Sequence, residues 1–428
     1  MRLPRLGKFR SKSAIAASAA ILLFAPTAAV ANAEPEPAPA PALPVELITA
    51  IARDLKISPE EYLRRSDVSQ ELASFAATAQ RQFPEVYGGS WLNETGQAVV
   101  ALTQGPGADE ARKAAQDAGF EVRTVAKSES ALRGEKSAFQ RWLDEQPEPV
   151  AALIRGVAID TVNNSIAVRV DQPGLPMPSF VDPSRVLVMA PPVAAEQLPE
   201  AAPIAGAIER GSLTGGDGYA SVAGRTSLRC SFGFNGTLGG KPVNITAGHC
   251  NPALDQPTAV HELVGDRLGT KLGAFQKSVL GSQDYSILRV EDEQKGRFDN
   301  SGVKSGGAPI VVDGVADPVV GAPVCKSGSR TGFSCGVINA VDQTVQVGDR
   351  ELTQSFSANI CALPGDSGGP IVSGRRALGI SSASSVADYP VCAIPEFLGL
   401  LTGNAPQLFA QPLNVVLSDN PGLRVNTN

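Results

Sequence analysis

The stretch Gly365-Asp366-Ser367-Gly368-Gly369-Pro370 carries the strongest chemical signal of the sequence, and Ser367 lies six residues after Cys361. A serine hydroxyl is a weak nucleophile until a base takes its proton and hydrogen-bond donors wait for the oxyanion. Glycines beside the serine permit a sharp turn, in which the amides of Gly365 and Ser367 can point at one place as an oxyanion hole. An isolated motif of this kind could equally be a surface turn. A catalytic role for Ser367 therefore requires a base and a carboxylate elsewhere in the sequence.

A base is supplied by the stretch Thr246-Ala247-Gly248-His249-Cys250. The chain contains two histidines, His249 and His261. His249 ends an apolar strand and is tethered through its neighbour Cys250, whereas His261 lies in a polar stretch with no such anchor. We therefore expect His249 to take the proton from Ser367.

The third member of such a site is a carboxylate that is buried enough to orient the imidazole. Asp284 begins the apolar run Asp284-Tyr285-Ser286-Ile287-Leu288, where a charge entering a strand core demands a partner. The other candidates lie in more polar surroundings that are typical of solvated side chains: Asp255, Asp266 and Asp292. The sequence therefore predicts a catalytic triad of His249, Asp284 and Ser367.

The order His, Asp, Ser, with TAGHC, DYSIL and CALPGDSGGP, resembles the chymotrypsin-like serine proteases. More narrowly, it resembles the secreted bacterial branch that includes the streptogrisins and α-lytic protease. The resemblance covers nearly the whole second half of the chain through further segments: Leu213-Thr214-Gly215-Gly216-Asp217, Cys230-Ser231-Phe232-Gly233-Phe234-Asn235, Val324-Cys325-Lys326-Ser327-Gly328 and Ala377-Leu378-Gly379-Ile380-Ser381-Ser382. The first half resembles the pro-domains of this branch more loosely, in helix–strand order and in Gly89-Ser90-Trp91.

This resemblance implies an all-β catalytic domain of two six-stranded antiparallel β-barrels with the triad between them. A small α+β pro-domain precedes it, assists folding, inhibits the protease and is then cleaved away. The resemblance also implies that substrate is bound by five residues beside the serine and on the strand that aligns the substrate: Leu363, Pro364, Ser382, Ala383 and Ser384. Bacterial relatives carry a basic residue after the cysteine that corresponds to Cys325, so we expect Lys326 to form a structural ion pair with buried Asp366.

The N-terminus has the pattern of a secretory signal. A basic start is followed by an apolar, Ala-rich run from Ala14 to Ala31, and Ala31-Asn32-Ala33 supplies a small-x-small cleavage site. We expect a signal peptide over 1–33 and a secreted, extracellular protein without a stable membrane anchor; an uncleaved anchor is the alternative.

Composition divides the remaining chain into four parts. We expect a Pro/Ala linker over 34–43, an α+β pro-domain over 44–170, a Pro-rich linker over 171–212 that ends near the maturation site, and a protease domain over 213–428. Within the pro-domain, the patterns predict a first helix that begins after Ser58. They then predict strand 98–102, helix 108–118, strand 121–125 and helix 130–145. Strands 157–162 and 166–170 follow and form a hairpin that turns at Asn163-Asn164.

All six cysteines lie in the second half: Cys230, Cys250, Cys325, Cys335, Cys361 and Cys392. An even number in an exported chain indicates disulfides, although sequence alone leaves many pairings open. Pairing each cysteine with its neighbour gives Cys230–Cys250, Cys325–Cys335 and Cys361–Cys392. A metal site is the rival interpretation, and the absence of CxxC together with two histidines disfavours it.

Composition and chemistry define the function we expect. The formal net charge of −6 does not indicate the basic surface that nucleic-acid-binding proteins carry. We expect a monomeric serine endopeptidase without metal or cofactor, whose partners are protein or peptide substrates and its own pro-domain, an intramolecular inhibitor and folding aid.

The resemblance bears on specificity as well, because trypsin-like cleavage needs a carboxylate at the base of the pocket and Asn359-Ile360-Cys361 offers none. Glutamyl-specific relatives use an additional pocket histidine, and this chain has none to spare. Streptogrisins carry Gly-Gly where this chain has Ala383-Ser384, so we expect these side chains to narrow the pocket. Cleavage after small or medium uncharged residues is therefore expected; an inactive homologue that acts as a secreted binding protein is the alternative.

Overall fold

The computed structural model describes residues 43–193, 196–197, 211–256 and 258–428. The expected signal peptide and nearly all of the first linker lie outside the described residues. None of the helices in the described ranges is long and apolar enough to cross a membrane. We call residues 43–193 the N-terminal region and residues 211–428 the C-terminal region.

The N-terminal region combines helices with two small groups of strands. Its elements are α1 (Val45–Ala50), a π-helical turn (Ile51–Leu55), α2 (Pro59–Gln82), β1 (Tyr87–Leu92), β2 (Ala98–Leu102), α3 (Ala108–Asp117), β3 (Glu121–Thr124), α4 (Glu129–Asp144), α5 (Glu148–Ala151), β4 (Ile154–Asp160), β5 (Ser165–Val170), a 3-10 turn (Pro183–Arg185) and β6 (Val186–Val188). Strand β2 pairs antiparallel with β1 and parallel with β3, while β4, β5 and β6 form a second group.

Two local signals of this region are confirmed, the helix cap at Ser58 and the turn at Asn164. Ser58 caps α2, because its hydroxyl accepts the backbone N–H of Glu61 at 3.2 Å. Ser58 and Glu61 have the spacing of a capping box, but the carboxylate of Glu61 pairs with Arg64 and Arg65 instead, because both arginines lie one turn further along the same helix. Asn164 takes a positive φ of 53° in the turn between β4 and β5, as a tight hairpin requires.

The first half of the C-terminal region closes into a β-barrel. Its strands are β8 (Gly218–Ala223), β9 (Thr226–Ser231), β10 (Phe234–Leu238), β11 (Lys241–Thr246), β12 (Ala259–Val264), β13 (Arg267–Leu280) and β14 (Asp284–Val290). They pair in the order β10-β11-β14-β13-β12-β8-β9. Because two residues separate β9 from β10, these are halves of one interrupted strand, and the sheet closes as a six-stranded barrel.

The second half forms another closed barrel. Its strands are β18 (Pro323–Gly328), β19 (Gly332–Val347), β20 (Arg350–Ala358), β21 (Pro370–Ser373), β22 (Arg376–Ser384) and β23 (Leu408–Pro412). They pair in the order β18-β21-β22-β23-β20-β19, and β19 returns to β18. The expected architecture of two six-stranded barrels behind a smaller α+β region is therefore confirmed.

Short elements complete the chain. These are β7 (Glu196–Gln197), 3-10 turns at Gly248–Cys250 and Asp292–Gln294, α6 (Lys295–Phe298), β15 (Gly302–Val303), β16 (Ile310–Val311), β17 (Gly314–Val315), α7 (Ala393–Thr402), α8 (Leu413–Ser418) and β24 (Leu423–Val425). Three disulfides join the six cysteines: Cys230–Cys250, Cys325–Cys335 and Cys361–Cys392. Each cysteine is thus bonded to the next cysteine along the chain, which is the nearest-neighbour pairing considered from the sequence.

The two regions share one sheet. Strand β4 lies antiparallel to β19, with Val157 opposite Thr344 and Gly156 opposite Val345. The N-terminal strands β4, β5 and β6 therefore extend the sheet of the second barrel. Apolar packing is continuous as well, since Leu72 of α2 belongs to the same buried cluster as barrel residues such as Phe356.

The segment after β5 is more ordered than its proline content predicts. Strand β6 pairs parallel with β5, and Val193 forms an isolated antiparallel bridge with Ser384 at the end of β22. Proline fixes φ without preventing extended structure, so neighbouring residues can still donate to a sheet edge.

Candidate active site

Ser367 lies in a tight turn between the barrels, immediately before β21. Gly365 and Gly368 hold positive φ values of 103° and 84°, which favour glycine. The carbonyl of Ser367 accepts the N–H of Ser231 at 2.8 Å, and the N–H of Gly368 donates to Ser381 O at 2.8 Å. The first barrel and strand β22 thus hold the serine turn from two sides.

His249 lies in the 3-10 turn that follows β11, and the neighbouring Cys250 ties this turn to Cys230 at the end of β9. A side chain in place of Gly248 would overlap the carbonyl of Val279 and lie 3.0 Å from Asp284 Oδ1. Glycine at this position therefore lets the histidine turn approach the start of β14.

Asp284 is fully buried and faces His249. Its Oδ2 lies 2.7 Å from His249 Nδ1, and its Oδ1 accepts the backbone N–H of His249 at 2.9 Å. The hydroxyl of Ser382 also donates to Oδ2. The carboxylate thus fixes both the position of the histidine turn and the orientation of the ring.

The surroundings of Asp284 keep it ionised. Burial opposes the charged form, but the charge and hydrogen bond of His249 outweigh it and lower the pKa of Asp284 well below its ordinary value. The guanidinium of Arg350 and the hydroxyl of Ser382 lower this pKa further. On the opposite side of the ring, no described group hydrogen-bonds the buried Nε2 of His249.

Lys326 and Asp366 are both buried, and Lys326 Nζ lies 3.2 Å from Asp366 Oδ2. The carboxylate of Asp366 also accepts backbone N–H groups from Arg330 at 3.0 Å, Thr331 at 2.9 Å and Leu363 at 3.1 Å. Because the buried carboxylate of Asp366 accepts all of these donors, it fixes the position of the loop that carries Ser367.

The five residues expected to bind substrate line one cavity beside Ser367. It is bounded by Leu363, Pro364, Ser382, Ala383 and Ser384 together with Val193, Ala362, Asp366, Ser367, Ser381 and Leu408. The space has room for little more than a water molecule. Within the described residues, this lining contains no basic side chain.

His261 lies elsewhere. It belongs to β12, opposite Ala220 of β8, and its Nδ1 lies 3.3 Å from the carbonyl of Gly269. Neither this residue nor its strand contributes to the cavity beside Ser367.

Comparison with known proteins identifies the family. A family model described as Trypsin matches residues 223–403. The chain is 35% identical over 161 residues to Glutamyl endopeptidase 2 of Streptomyces griseus. This alignment covers 37% of the present chain and 79% of that protein. The chain belongs to the trypsin family. It is a chymotrypsin-like bacterial serine protease, a serine-type endopeptidase.

Other relatives cover more of the chain. Streptogrisin-C of Streptomyces griseus is 28% identical over 348 residues, which span 79% of this trypsin-family chain and 68% of the relative. Among solved structures, that of Nocardiopsis protease aligns at 29% identity with a TM-score of 0.40, covering 50% of this chain and all (100%) of the other.

Sequence reasoning missed several contacts of this protease site. Gln411 accepts the backbone N–H of Asp284 at 3.0 Å, and Arg350 Nη1 lies 3.3 Å from Asp284 Oδ2. Ser382, expected only to align substrate, contacts the same carboxylate. These residues come from β20, β22 and β23, which are distant in sequence from Asp284, so no local pattern could indicate them.

Proposed function

We propose that His249, Asp284 and Ser367 form the catalytic triad of this endopeptidase. The observation that carries the proposal is the 2.7 Å contact between His249 Nδ1 and the buried carboxylate of Asp284, next to a serine turn held by Ser231 and Ser381. This contact fixes the tautomer that leaves Nε2 able to accept a proton.

The triad acts by acyl transfer. His249 takes the proton of Ser367, whose Oγ attacks the scissile carbonyl, while the amides of Gly365 and Ser367 stabilise the oxyanion. His249 then protonates the leaving amine. Water hydrolyses the acyl-enzyme with the same base, which restores Ser367.

We further propose that the protein is secreted as an inactive precursor. The basic and apolar start of the sequence, the three disulfides and the streptogrisin relatives support export. In this proposal residues 1–33 are a signal peptide, 44–170 a pro-domain that inhibits the protease and aids its folding, 171–212 a linker, and 213–428 a monomeric protease.

Contacts between the two regions support the role of the N-terminal region as an inhibitor. The buried hydroxyl of Tyr62 accepts the N–H of Gly374 at 3.0 Å, and Asp54 accepts the N–H of Cys335 at 2.8 Å. Strand β4 adds to β19, and Val193 bridges Ser384 at the cavity beside Ser367. A substrate would have to displace Val193 to reach this strand.

The narrow cavity supports a preference for small or medium uncharged residues before the cut. Its lining is apolar or hydroxylic apart from Asp366, whose carboxylate is already engaged by Lys326. We propose this buried pair as a structural element of the site. A peptide library should therefore be cleaved after alanine or valine. Dominant cleavage after Arg, Lys or Glu would contradict the specificity.

The triad is tested with Ser367→Ala and the matched variant Ser305→Ala, which removes a buried hydroxyl that donates to Ala308 O. We expect Ser367→Ala to lose peptide hydrolysis and labelling by a serine-directed phosphonate while keeping its circular dichroism spectrum. Ser305→Ala should keep both activities. A Ser367→Ala protein with undiminished hydrolysis would refute the triad.

A further inference from the structure

Helix α7 presents apolar side chains to solvent. Ile394, Phe397, Leu398 and Leu401 are spaced three or four positions apart, so they share one face of the helix. With Leu400 beside them, these side chains are between 39% and 86% exposed, and we call the five residues the α7 face. A contiguous exposed apolar surface marks a binding site, whereas single scattered apolar residues do not.

The loop that carries α7 leaves the substrate-aligning strand directly. Strand β22 ends at Ser384, β23 begins at Leu408, and these two residues are paired. The disulfide Cys361–Cys392 ties the residue before α7 to the segment that leads into the serine turn. The α7 face is therefore anchored at two points beyond the end of β22.

The N-terminal region shows where a chain that is aligned on β22 continues. The N–H of Val193 donates to Ser384 O at 3.0 Å, and its carbonyl accepts the N–H of Ser384 at 3.1 Å. Because this pair is antiparallel, the residues before Val193 run in the direction of the residues after Ser384. Residues 187–190 line a cavity of about 760 Å³ together with Pro395 and Leu398 of α7. A described stretch of chain thus leads from the aligning strand to α7.

The register indicates which substrate residues reach α7 along this path. Ser382 borders the cavity that we propose for the residue before the cut. A peptide residue opposite Ser384 lies two positions earlier, so it is the third residue before the cut. Val193 holds this third position, which places Ala190 at the sixth and Leu187 at the ninth.

The charge of the loop favours an apolar polypeptide over a lipid surface as the partner. Between positions 385 and 407 the sequence contains Asp388 and Glu396 and neither lysine nor arginine. Helices that bind membrane surfaces combine an apolar face with basic residues that attract anionic headgroups. The segment that approaches α7 is itself uncharged, since residues 186–193 read Val-Leu-Val-Met-Ala-Pro-Pro-Val.

We propose that the α7 face is a second substrate site, which binds apolar side chains about six to nine residues before the cut. This inference rests on the proposed function and extends its substrate from one residue to a segment. The N-terminal region fills the path with its own residues 187–190 and opens it on release. The enzyme then selects extended, apolar stretches of polypeptide that precede a small residue at the cut.

The test compares three internally quenched peptides that share alanine before the cut and the residues around it. One carries leucine at the sixth to ninth positions before the cut, one carries asparagine there, and one begins at the fourth position. Active enzyme from expression of the full chain should cleave the leucine peptide with a kcat/KM about tenfold above that of the asparagine peptide, since burial of one leucine accounts for such a factor. The gain should lie in KM, because the contact is equal in the ground state and the transition state.

The double variant Phe397→Ser, Leu401→Ser tests the α7 face itself. Both side chains are exposed, so their replacement leaves the buried core intact. Val311→Ser is the matched control, because Val311 of β16 is also exposed and lines neither the cavity beside Ser367 nor the cavity at α7. The ratio of leucine-peptide to asparagine-peptide kcat/KM should fall to about twofold or less in the double variant and keep its wild-type value in Val311→Ser.

The outcomes separate this inference from the proposed function. Equal cleavage of the leucine and asparagine peptides by wild type overturns the inference alone, as does an equal ratio in the double variant and Val311→Ser. If the double variant keeps the ratio but loses binding to phosphatidylcholine vesicles or loses self-association, the α7 face serves a membrane or a second copy, and the inference is again overturned. A wild-type enzyme that cleaves none of the three peptides contradicts the proposed function instead.

Discussion

Arg350 Nη1 lies 3.3 Å from Oδ2 of Asp284, and the arginine side chain is 14% exposed. Arg350 begins β20, just after the hairpin turn that follows β19. Thr353 of the same strand donates its backbone N–H to Ser282 O at 2.8 Å, two residues before Asp284. The β19–β20 hairpin, which also pairs with β4 of the N-terminal region, thus places a cation beside the carboxylate of the proposed triad.

Replacing Arg350 by glutamine should destabilise the fold at neutral pH. Removing the cation leaves a buried carboxylate less compensated, and because Arg350 is partly exposed we expect a loss of about 1–2 kcal/mol in the free energy of unfolding. Urea unfolding of the Ser367→Ala chain at about pH 7 measures it. Arg350→Lys keeps the positive charge and should lower the free energy of unfolding by less than Arg350→Gln does.

The same pair gives a pH dependence with a definite sign. The folded state lowers the pKa of Asp284 below its ordinary value of 3.8, so the stability from its ionised form is fully present above that value and is lost as pH falls below it. The difference in unfolding free energy between the parent chain and the Arg350→Gln chain should therefore shrink as the pH falls from about 4 to about 2. A difference that stays constant over this window would show that Arg350 acts through packing alone.

Lys326 should be needed for stability through Asp366. Both groups are buried and 3.2 Å apart, so Lys326→Met leaves an unpaired buried carboxylate at a cost of roughly 3–5 kcal/mol. Chemical unfolding of the Ser367→Ala chain measures the loss. Lys326→Arg keeps the charge and should recover a large part of it. A Lys326→Met protein as stable as its parent would refute the pairing as a structural element.

Gly374 should control how tightly the N-terminal region binds the protease. A methyl group there would lie 2.6 Å from Ser66 Oγ of α2. If the N-terminal region inhibits the protease as proposed, Gly374→Ala in residues 213–428 should weaken their inhibition by separately produced residues 34–212 by roughly 10- to 100-fold. Gly265→Ala is the matched control, because its φ of 64° is close to the 61° of Gly374 and no atom lies within 4 Å of the added methyl. Equal inhibition of the two variants would contradict the interface.

Gly156 should control folding through the shared sheet. A methyl at this position would overlap the carbonyl of Thr344 and break the pairing of β4 with β19. If the N-terminal region assists folding through this sheet, refolding of the Gly156→Ala, Ser367→Ala chain should slow by about tenfold or more. Gly134→Ala, with no atom within 4 Å of its methyl, should refold like the parent. Identical refolding of both would contradict a role for the shared sheet.

Local chemistry predicted much of this molecule. The helix cap at Ser58 and the hairpin turn at Asn164 need only neighbouring residues, and the structure contains both. The sequence motifs also predict that His249 and Asp284 are neighbours, and their side chains lie 2.7 Å apart. These features depend on short-range geometry or on motifs that fix an entire turn, which a single sequence can reveal.

Long-range pairing could not be predicted in the same way. The contact of Gly156 with Val345 and the bridge of Val193 to Ser384 each join segments nearly two hundred residues apart, and backbone pairing leaves no mark on side-chain pattern. Arg350 follows Gly348-Asp349, a combination typical of an exposed turn. Its approach to Asp284 depends on how the whole hairpin packs.

The side chains of Ala383 and Ser384 should set the size of the residue accepted before the cut. Both line the narrow cavity beside Ser367, and both are almost fully buried. The double variant Ala383→Gly, Ser384→Gly removes a methyl and a hydroxymethyl group without touching the carboxylate of Asp284. We expect kcat/KM for phenylalanine before the cut to rise about tenfold relative to alanine, since each carbon removed opens space worth about 1 kcal/mol to a larger side chain.

Ser385→Gly provides the control, because Ser385 follows directly in the chain and lies outside the lining of this cavity. It should leave the ratio of phenylalanine to alanine cleavage unchanged. If the double variant also leaves that ratio unchanged while remaining active, then Leu363, Ala362 or Leu408 limits the cavity instead. If Ala383→Gly and Ser384→Gly each raise the ratio on their own, both side chains limit the size of the cavity, since they act on the same space.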